Sequence, residues 1–454
     1  MKITLTNNLR LSNIPSEIRQ KLMKTLTFPN PKWMENERMG RWNRGTPKVL
    51  KFYDTVRGGG LWIPRGYIRQ LLLLCRRKEV TYDIDDQRRT FRPVEFKFNG
   101  RLKPFQQNAV NAMVSKDFGS LSAPTGSGKT VMALFIISRR NQPALIVVHT
   151  KDLAFQWMER IEQFLGIPKD AVGFIGGGKI KMGETITVAL VQTLYKCAED
   201  VSKKIGFLVV DECHRCPSRT FTEAVTEFDS KYMLGLSATP YRRDNLSRLI
   251  FWHLGDVHHK IDQGRLVQSG DVLAAEVIIR ETEFKPYYDP VNEYSKMMSE
   301  LTQDDQRNRL IASDIAGEVE HNQGVCLVLS DRKKHCETLQ SILRFRYKIS
   351  AGLLIGDLNT DERQKVLDCL NQGDIKVLIA TGQLIGEGFD RSDLSPLFLV
   401  TPIKFSGRVL QYLGRVLRPA PGKKKARVYD YVDVHVDVLK AMARARQKVY
   451  DSKF

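Results

Sequence analysis

From about residue 118 the chain alternates short apolar runs with amphipathic stretches, and each run ends in a cluster of Gly, Ser, Thr or Asp. An apolar run closed by turn residues reads as a strand buried on both faces, and its alternation with helical stretches is the βα rhythm of a parallel sheet. A first series comprises Ala144–Val148, Thr185–Val191, Phe207–Val210 and Tyr232–Leu236; a second comprises Gly324–Leu329, Ile349–Leu354, Lys376–Ile379 and Leu397–Val400. Two such series predict two doubly wound α/β lobes, with the boundary between residues 270 and 300, where KPYYDPVNEY breaks the rhythm. The first 95 residues follow another pattern. A strand-like MKITL precedes an apolar and basic helix beginning near Ser16, then FPNPKW, VLKFYD and RGGGLWIPRGY, and a helix running through Leu74. The pattern predicts three parts: a small α+β domain over 1–95, a first lobe over 96–275, and a second lobe over 276–454 that ends in a basic helix.

Length supports two or three domains, and the 42% hydrophobic and 27% charged fractions are those of a folded globular chain. The longest apolar runs, such as Leu71–Leu74 and Leu145–Val148, fall far short of the roughly 20 residues that span a bilayer. The N-terminal MKITLTNNLR lacks the apolar core of a secretory signal, and seven scattered cysteines suit a reducing compartment. The expectation is a cytoplasmic protein of a bacterium or a phage-infected cell.

Charge changes the picture once it is divided along the chain. Of the net +20, residues 1–100 hold 21 Lys and Arg against 9 Asp and Glu, and residues 404–454 hold 13 against 4, so the centre is close to neutral. Basic flanks on a neutral core predict a polyanionic partner, and nucleic acid is the leading one.

The strongest local signal is Ala123-Pro-Thr-Gly-Ser-Gly-Lys-Thr130, between the apolar Leu121 and the helix-like VMALFIIS. A loop that joins a strand to a helix N-terminus aims its backbone N–H groups into one cavity, where the helix dipole also favours an anion. Thr125, Gly126, Ser127 and Gly128 would cradle phosphates, Lys129 would reach the β- and γ-phosphates, and the Thr130 hydroxyl would coordinate Mg²⁺. Some 80 residues on, the strand Phe207–Val210 runs into Asp211-Glu212-Cys213-His214. A carboxylate at the end of a neighbouring parallel strand can supply the second metal contact, and the next one can orient water. Asp211 takes the first role and Glu212 the second. Cys213 and Cys216 form a CxxC, but no second Cys/His pair stands nearby to complete a four-ligand zinc site.

These residues resemble a superfamily 2 helicase, through an ordered series of motifs over roughly 100–435. Arg101-Leu-Lys-Pro-Phe-Gln106 resembles the adenine-recognising element, with Gln106 as base reader. Ala123–Thr130 and Asp211–His214 resemble motifs I and II, and Ser237-Ala-Thr239-Pro240 resembles motif III, which couples ATP state to the track; Tyr-Arg-Arg-Asp244 continues it as in XPB-like members. In the second lobe, Leu329–Arg332 resembles motif IV, Ala380-Thr381 through Gly386-Glu-Gly388-Phe-Asp390 motif V, and Gln411-Tyr-Leu-Gly-Arg415-Val-Leu-Arg418 motif VI. The spelling from motif III to motif VI and the length are closest to phage branch-migration helicases of the UvsW kind and to XPB.

The resemblance implies two tandem RecA-like lobes that hydrolyse ATP with Mg²⁺. It adds Gln411, Arg415 and Arg418 to the catalytic set and Gly388 and Asp390 to the nucleotide site. Two arginines three apart on one helix face can also neutralise charge developing on the γ-phosphoryl group, and Arg418 is the expected finger. Nucleic-acid contacts map onto Thr150, Thr193, Ser330 and Thr381, with 3′–5′ polarity. In the N-terminal domain Trp33, Trp42, Phe52, Tyr53, Trp62 and Tyr67 are interleaved with Lys32, Arg41, Arg44, Lys51, Arg57 and Arg65. Aromatics among cations can stack on unpaired bases while the cations hold phosphates. The expected function is remodelling of branched DNA, such as forks, junctions and R-loops, in replication, recombination or repair. An RNA helicase, a duplex translocase that does not separate strands, and a binder with an inactive ATPase are the alternatives.

Overall fold

The computed structural model describes the chain except residues 57, 216–218, 239–246, 322–323, 383–392, 403–412, 415, 418, 420–422, 424 and 454. Its contacts divide it into two compact units, Met1–Ala123 with Gly128–Ile261, and Pro124–Ser127 with Asp262–Phe454.

The first unit holds a five-stranded sheet, an eight-stranded sheet and the two-stranded antiparallel pair Thr27–Pro29 with Val49–Lys51. The five-stranded sheet runs Asp54–Val56, Gly60–Pro64, Asn8–Ser12, Lys2–Leu5, Asp83–Asp86, antiparallel except for the last pair. Alternate residues Ile3 and Leu5, Leu9 and Leu11, and Leu61 and Ile63 turn inward, as a sheet with one covered face requires. The helices Ser16–Thr25 and Ile68–Arg77 cover that face with Ile18, Leu22, Leu71 and Cys75. This core is not closed on itself. Leu249 and Trp252, from the helix Ser247–Leu254, belong to it, and the Trp252 indole meets the rings of Phe28, Phe52 and Tyr67 edge-on. The N-terminal part therefore shares its core with the α/β part that follows it.

That α/β part is an eight-stranded sheet in the order Lys179–Lys181, Gly173–Gly176, Ile186–Leu190, Ala144–Val148, Phe207–Val210, Tyr232–Ser237, Phe118–Ser122, Val257–Lys260. All neighbours are parallel except the first pair. Its central strands Ala144–Val148 and Phe207–Val210 are buried at every position, because helices such as Lys129–Arg140 and Lys151–Leu165 pack on them.

The second unit carries a six-stranded, wholly parallel sheet: Ala275–Thr282, Ala426–Asp433, Leu394–Leu399, Val325–Ser330, Val377–Thr381, Ala351–Leu354. Two buried ion pairs fix the elements around it. Arg307 donates through Nε to Asp433 at 2.8 Å and through Nη1 to the Val400 carbonyl at 2.8 Å, while Arg446 and Tyr450 both donate to Asp430. The boundary between units falls at Ile261, and the second sheet opens at Ala275. Two parallel-sheet α/β lobes preceded by a small α+β part is the fold. Among the described residues no helix is long and apolar enough to cross a membrane.

Candidate nucleotide site and nucleic-acid track

The strand Phe118–Ser122 ends at the carboxyl edge of the first parallel sheet, and the helix Lys129–Arg140 starts seven residues later. In between, Ser127 closes a tight turn, its N–H and hydroxyl both donating to the Pro124 carbonyl at 3.2 and 2.6 Å. Gly126 and Gly128 have φ of 86° and 82°, the left-handed region that favours glycine. Gly128 also lets Gln106 come close: a Cβ there would lie 2.5 Å from Gln106 Nε2 and displace that amide. Gln106 is buried at the start of the helix Pro104–Val114, and its Oε1 accepts from the Lys103 N–H at 2.9 Å. The amide expected to read a base thus abuts the phosphate loop. Lys129 Nζ donates back to the Ala123 carbonyl at 3.2 Å, and Thr130, one residue on, is half-buried.

Two strands away, Phe207–Val210 delivers Asp211. The carboxylate is buried and accepts twice, from the indole N–H of Trp157 at 2.9 Å and from the Glu212 N–H at 2.8 Å. Burial first, and the neighbouring Glu212 second, push its pKa up to about 6. A bound cation would act in the opposite direction. Thr130 and Asp211 are the hard oxygen donors that suit Mg²⁺, and the described residues contain no cluster of three or more His, Cys, Asp or Glu. That sparse donor set fits an ion that keeps water and draws its other ligands from phosphate oxygens.

Glu212 adopts φ of 49°, strained for a residue with a side chain. The turn aims its carboxylate at His214, whose Nδ1 lies 3.1 Å from Glu212 Oε2 and 3.1 Å from the Ser237 hydroxyl. Ser237 ends the strand Tyr232–Ser237 and pairs in register with Ser122, and its carbonyl accepts from the Ala123 N–H at 2.9 Å. A continuous set of contacts therefore links the carboxylate pair, Ser237 and the phosphate loop. Thr239, Gly388, Asp390, Gln411, Arg415 and Arg418 lie outside the described residues.

Sequence reasoning missed Trp157 and the bridging position of His214. Trp157 stood in HTKDLAFQW, but only the packing of Lys151–Leu165 against the sheet reveals that its indole faces Asp211.

The four expected track residues sit at the carboxyl edges of the two sheets. Thr150 caps the helix Lys151–Leu165 by accepting from the Leu153 N–H at 3.4 Å, and Thr193 lies in the short turn Val191–Leu194. Gln192 ties these loops together, donating to the His149 carbonyl at 3.2 Å. Ser330 and Thr381 are register partners at the ends of adjacent strands. The Ser330 side chain is fully buried, and its hydroxyl is engaged with the Arg332 N–H and with His335 Nδ1 at 3.0 Å. Its hydroxyl shapes the loop rather than facing solvent.

A parallel sheet with a lysine loop and a strand-end Asp-Glu pair, followed by a second parallel sheet, defines a nucleotide-hydrolysing motor. Residues 99–242 match the family described as type III restriction enzyme, res subunit, and residues 305–420 match the helicase conserved C-terminal domain. The chain is 29% identical over 357 residues to the DNA 3′–5′ translocase XPB2 of Sulfurisphaera tokodaii, covering 70% of this chain and 78% of that one. It is 27% identical over 385 residues to the Acanthamoeba polyphaga mimivirus protein L396, provisionally named an ATP-dependent RNA helicase, covering 82% and 72%. The fold is shared with S. cerevisiae Dbp5 bound to RNA and ADP BeF3, with a TM-score of 0.57 at 17% identity over 78% of this chain and 88% of that one. The chain is a superfamily 2 helicase, an ATP-dependent enzyme of the XPB kind.

Proposed function

We propose that this helicase works on DNA, moves 3′ to 5′, and remodels forks, junctions and R-loops in replication, recombination or repair. The observation that carries the branched-DNA reading is the strongly basic N-terminal part, which shares its core with the motor through Leu249 and Trp252. The relative named as a DNA 3′–5′ translocase supports the track and the polarity.

In this reading Gln106 recognises adenine, the loop Thr125–Thr130 holds the phosphates, and Lys129 neutralises the β- and γ-phosphates. Mg²⁺ held by Thr130 and Asp211 polarises the phosphoryl oxygens when bound. Glu212 orients the attacking water and takes up its proton. Ser237 and Thr239 pass the state of the site toward the track, with His214 joining Ser237 to Glu212. Gly388 and Asp390 complete the nucleotide site, Gln411 and Arg415 hold phosphate, and Arg418 stabilises the charge on the γ-phosphoryl group, a role worth about 10³–10⁵ in rate. Thr150, Thr193, Ser330 and Thr381 mark the loops that grip the nucleic-acid backbone, so the motor is indifferent to sequence.

The mimivirus relative favours a second reading, RNA as the track. ATP-driven strand displacement on a DNA fork, a four-way DNA junction and an RNA fork of the same sequence separates the two. Displacement of both DNA substrates supports the proposal. Displacement of the RNA fork alone replaces it with the second reading, and ATP-dependent movement on duplex without displacement replaces it with a duplex translocase.

A further inference from the structure

Among the six aromatics interleaved with cations in the N-terminal part, packing separates two groups. Phe52 stacks on Phe28 at 5.4 Å and Tyr67 is buried against Trp252, so both belong to the core. Trp42 is 85% exposed. An indole carries about 150–250 Å² of surface whose burial is favourable, so one left almost wholly in water is an unusual feature.

The loop that holds Trp42 is pinned on both sides. The Arg41 N–H donates to the Asn36 carbonyl at 2.8 Å. Asn43 accepts from Asn36 Nδ2 at 3.0 Å and donates to the Trp33 carbonyl at 3.3 Å. The preceding helix Pro31–Arg38 is fixed at its start by Asn30, which accepts from the Lys32 N–H and donates to the Pro47 carbonyl at 2.8 Å. That helix buries none of its residues, and Met34 and Met39 are 55% and 47% exposed. The segment 31–48 thus connects the paired strands Thr27–Pro29 and Val49–Lys51 with none of its residues buried, held by backbone and amide hydrogen bonds. It carries Lys32, Arg38, Arg41, Arg44 and Lys48 against Glu35 and Glu37. Five cations against two carboxylates give the segment a net positive charge, and a flat exposed aromatic ring among cations matches a base joined to phosphates.

We infer that segment 31–48 is a nucleic-acid contact in which Trp42 stacks on an unpaired base beside the duplex while the surrounding cations hold its backbone. This rests on the nucleic-acid reading above and gives it a residue. The indole is held ready on a closed loop, so stacking requires little ordering on binding.

The full chain is used, because removing residues 1–95 would uncover Leu249 and Trp252. Trp42→Ala and Trp42→Phe are compared with the parent for affinity to a forked DNA with single-stranded arms and to a blunt duplex of equal length, with unfolding midpoint and nucleic-acid-free ATPase as controls. Trp42→Ala is expected to bind the fork roughly 5- to 150-fold more weakly, the equivalent of one lost base stack. Trp42→Phe should retain most of the affinity, and blunt-duplex binding, unfolding midpoint and basal ATPase should not change. Parent-like fork binding by Trp42→Ala overturns the inference. So does an equal loss on blunt duplex, or a phenylalanine variant as weak as the alanine one. A parent chain that binds neither DNA defeats the DNA reading itself, and this inference with it.

Discussion

Trp157 donates its indole N–H to the buried Asp211 carboxylate at 2.9 Å, joining residues 54 positions apart across the base of the nucleotide site. This hydrogen bond opposes the burial and the Glu212 charge that raise the Asp211 pKa to about 6. Trp157→Phe keeps an aromatic ring and removes the donor. A hydrogen bond to a charged group contributes about 1.5–3 kcal/mol, so kcat for ATP hydrolysis should fall roughly 10- to 150-fold. The acid limb of the pH–rate profile should also move to higher pH, because the carboxylate becomes harder to ionise. A variant with parental kcat and an unmoved limb would show that the indole is only packing.

Gly66 marks the tightest contact between the N-terminal part and the α/β sheet that follows. A Cβ there would lie 2.1 Å from the Phe251 carbonyl and 2.7 Å from the Trp252 carbonyl. The same junction is held by Arg69 and Gln70, both bonded to Asp256, and by Asn7, which donates to the Thr226 carbonyl at 2.7 Å. Gly66→Ala must push the junction apart, at a cost of about 1–3 kcal/mol for overpacking. Chemical unfolding of the full chain should register that loss. Parental stability would mean that the junction yields freely.

Two histidines, the buried His335 and the half-buried His253, make the fold sensitive to acid. Burial lowers the pKa of His253 to about 4, and burial followed by the nearby Arg307 lowers that of His335 to about 3. Each stays neutral when folded but takes up a proton near pH 6.5 when unfolded. The unfolded state therefore binds more protons in this window, and stability present above pH 6.5 is lost as pH falls toward 4 and 3. Each group contributes about 1.4 kcal/mol per pH unit. Without a bound cation Asp211 has the opposite sign between about pH 6 and 4, since it holds a proton more tightly when folded, and it offsets one histidine. The unfolding free energy should thus fall from pH 6.5 to 4.5, by about the slope of one histidine. A flat profile would contradict the buried, neutral state of His335.

Which features were legible in the sequence depended on how local their cause is. Ala144–Val148 and Phe207–Val210 are strands from end to end as expected, because a strand covered on both faces must be apolar at every position. The phosphate loop was equally plain, since its glycines answer to backbone geometry within eight residues. Trp157, His214 and the shared core around Trp252 were not. Each depends on a partner brought close by the fold from elsewhere in the chain, and nothing in the local spelling separates such a tryptophan from an ordinary core residue. The same reason kept Trp42 and Tyr67 alike until packing buried one and left the other in water.

A motor coupled to branched DNA must hydrolyse ATP faster when that DNA is bound. Rates would be measured with no nucleic acid, with single-stranded DNA, with forked and four-way DNA, and with RNA, for the parent chain and for Lys129→Ala. Forked and four-way DNA should stimulate most, and Lys129→Ala should be silent on every substrate. Stimulation by RNA alone would contradict the DNA assignment, and a folded parent chain that no nucleic acid stimulates would contradict the coupled motor itself.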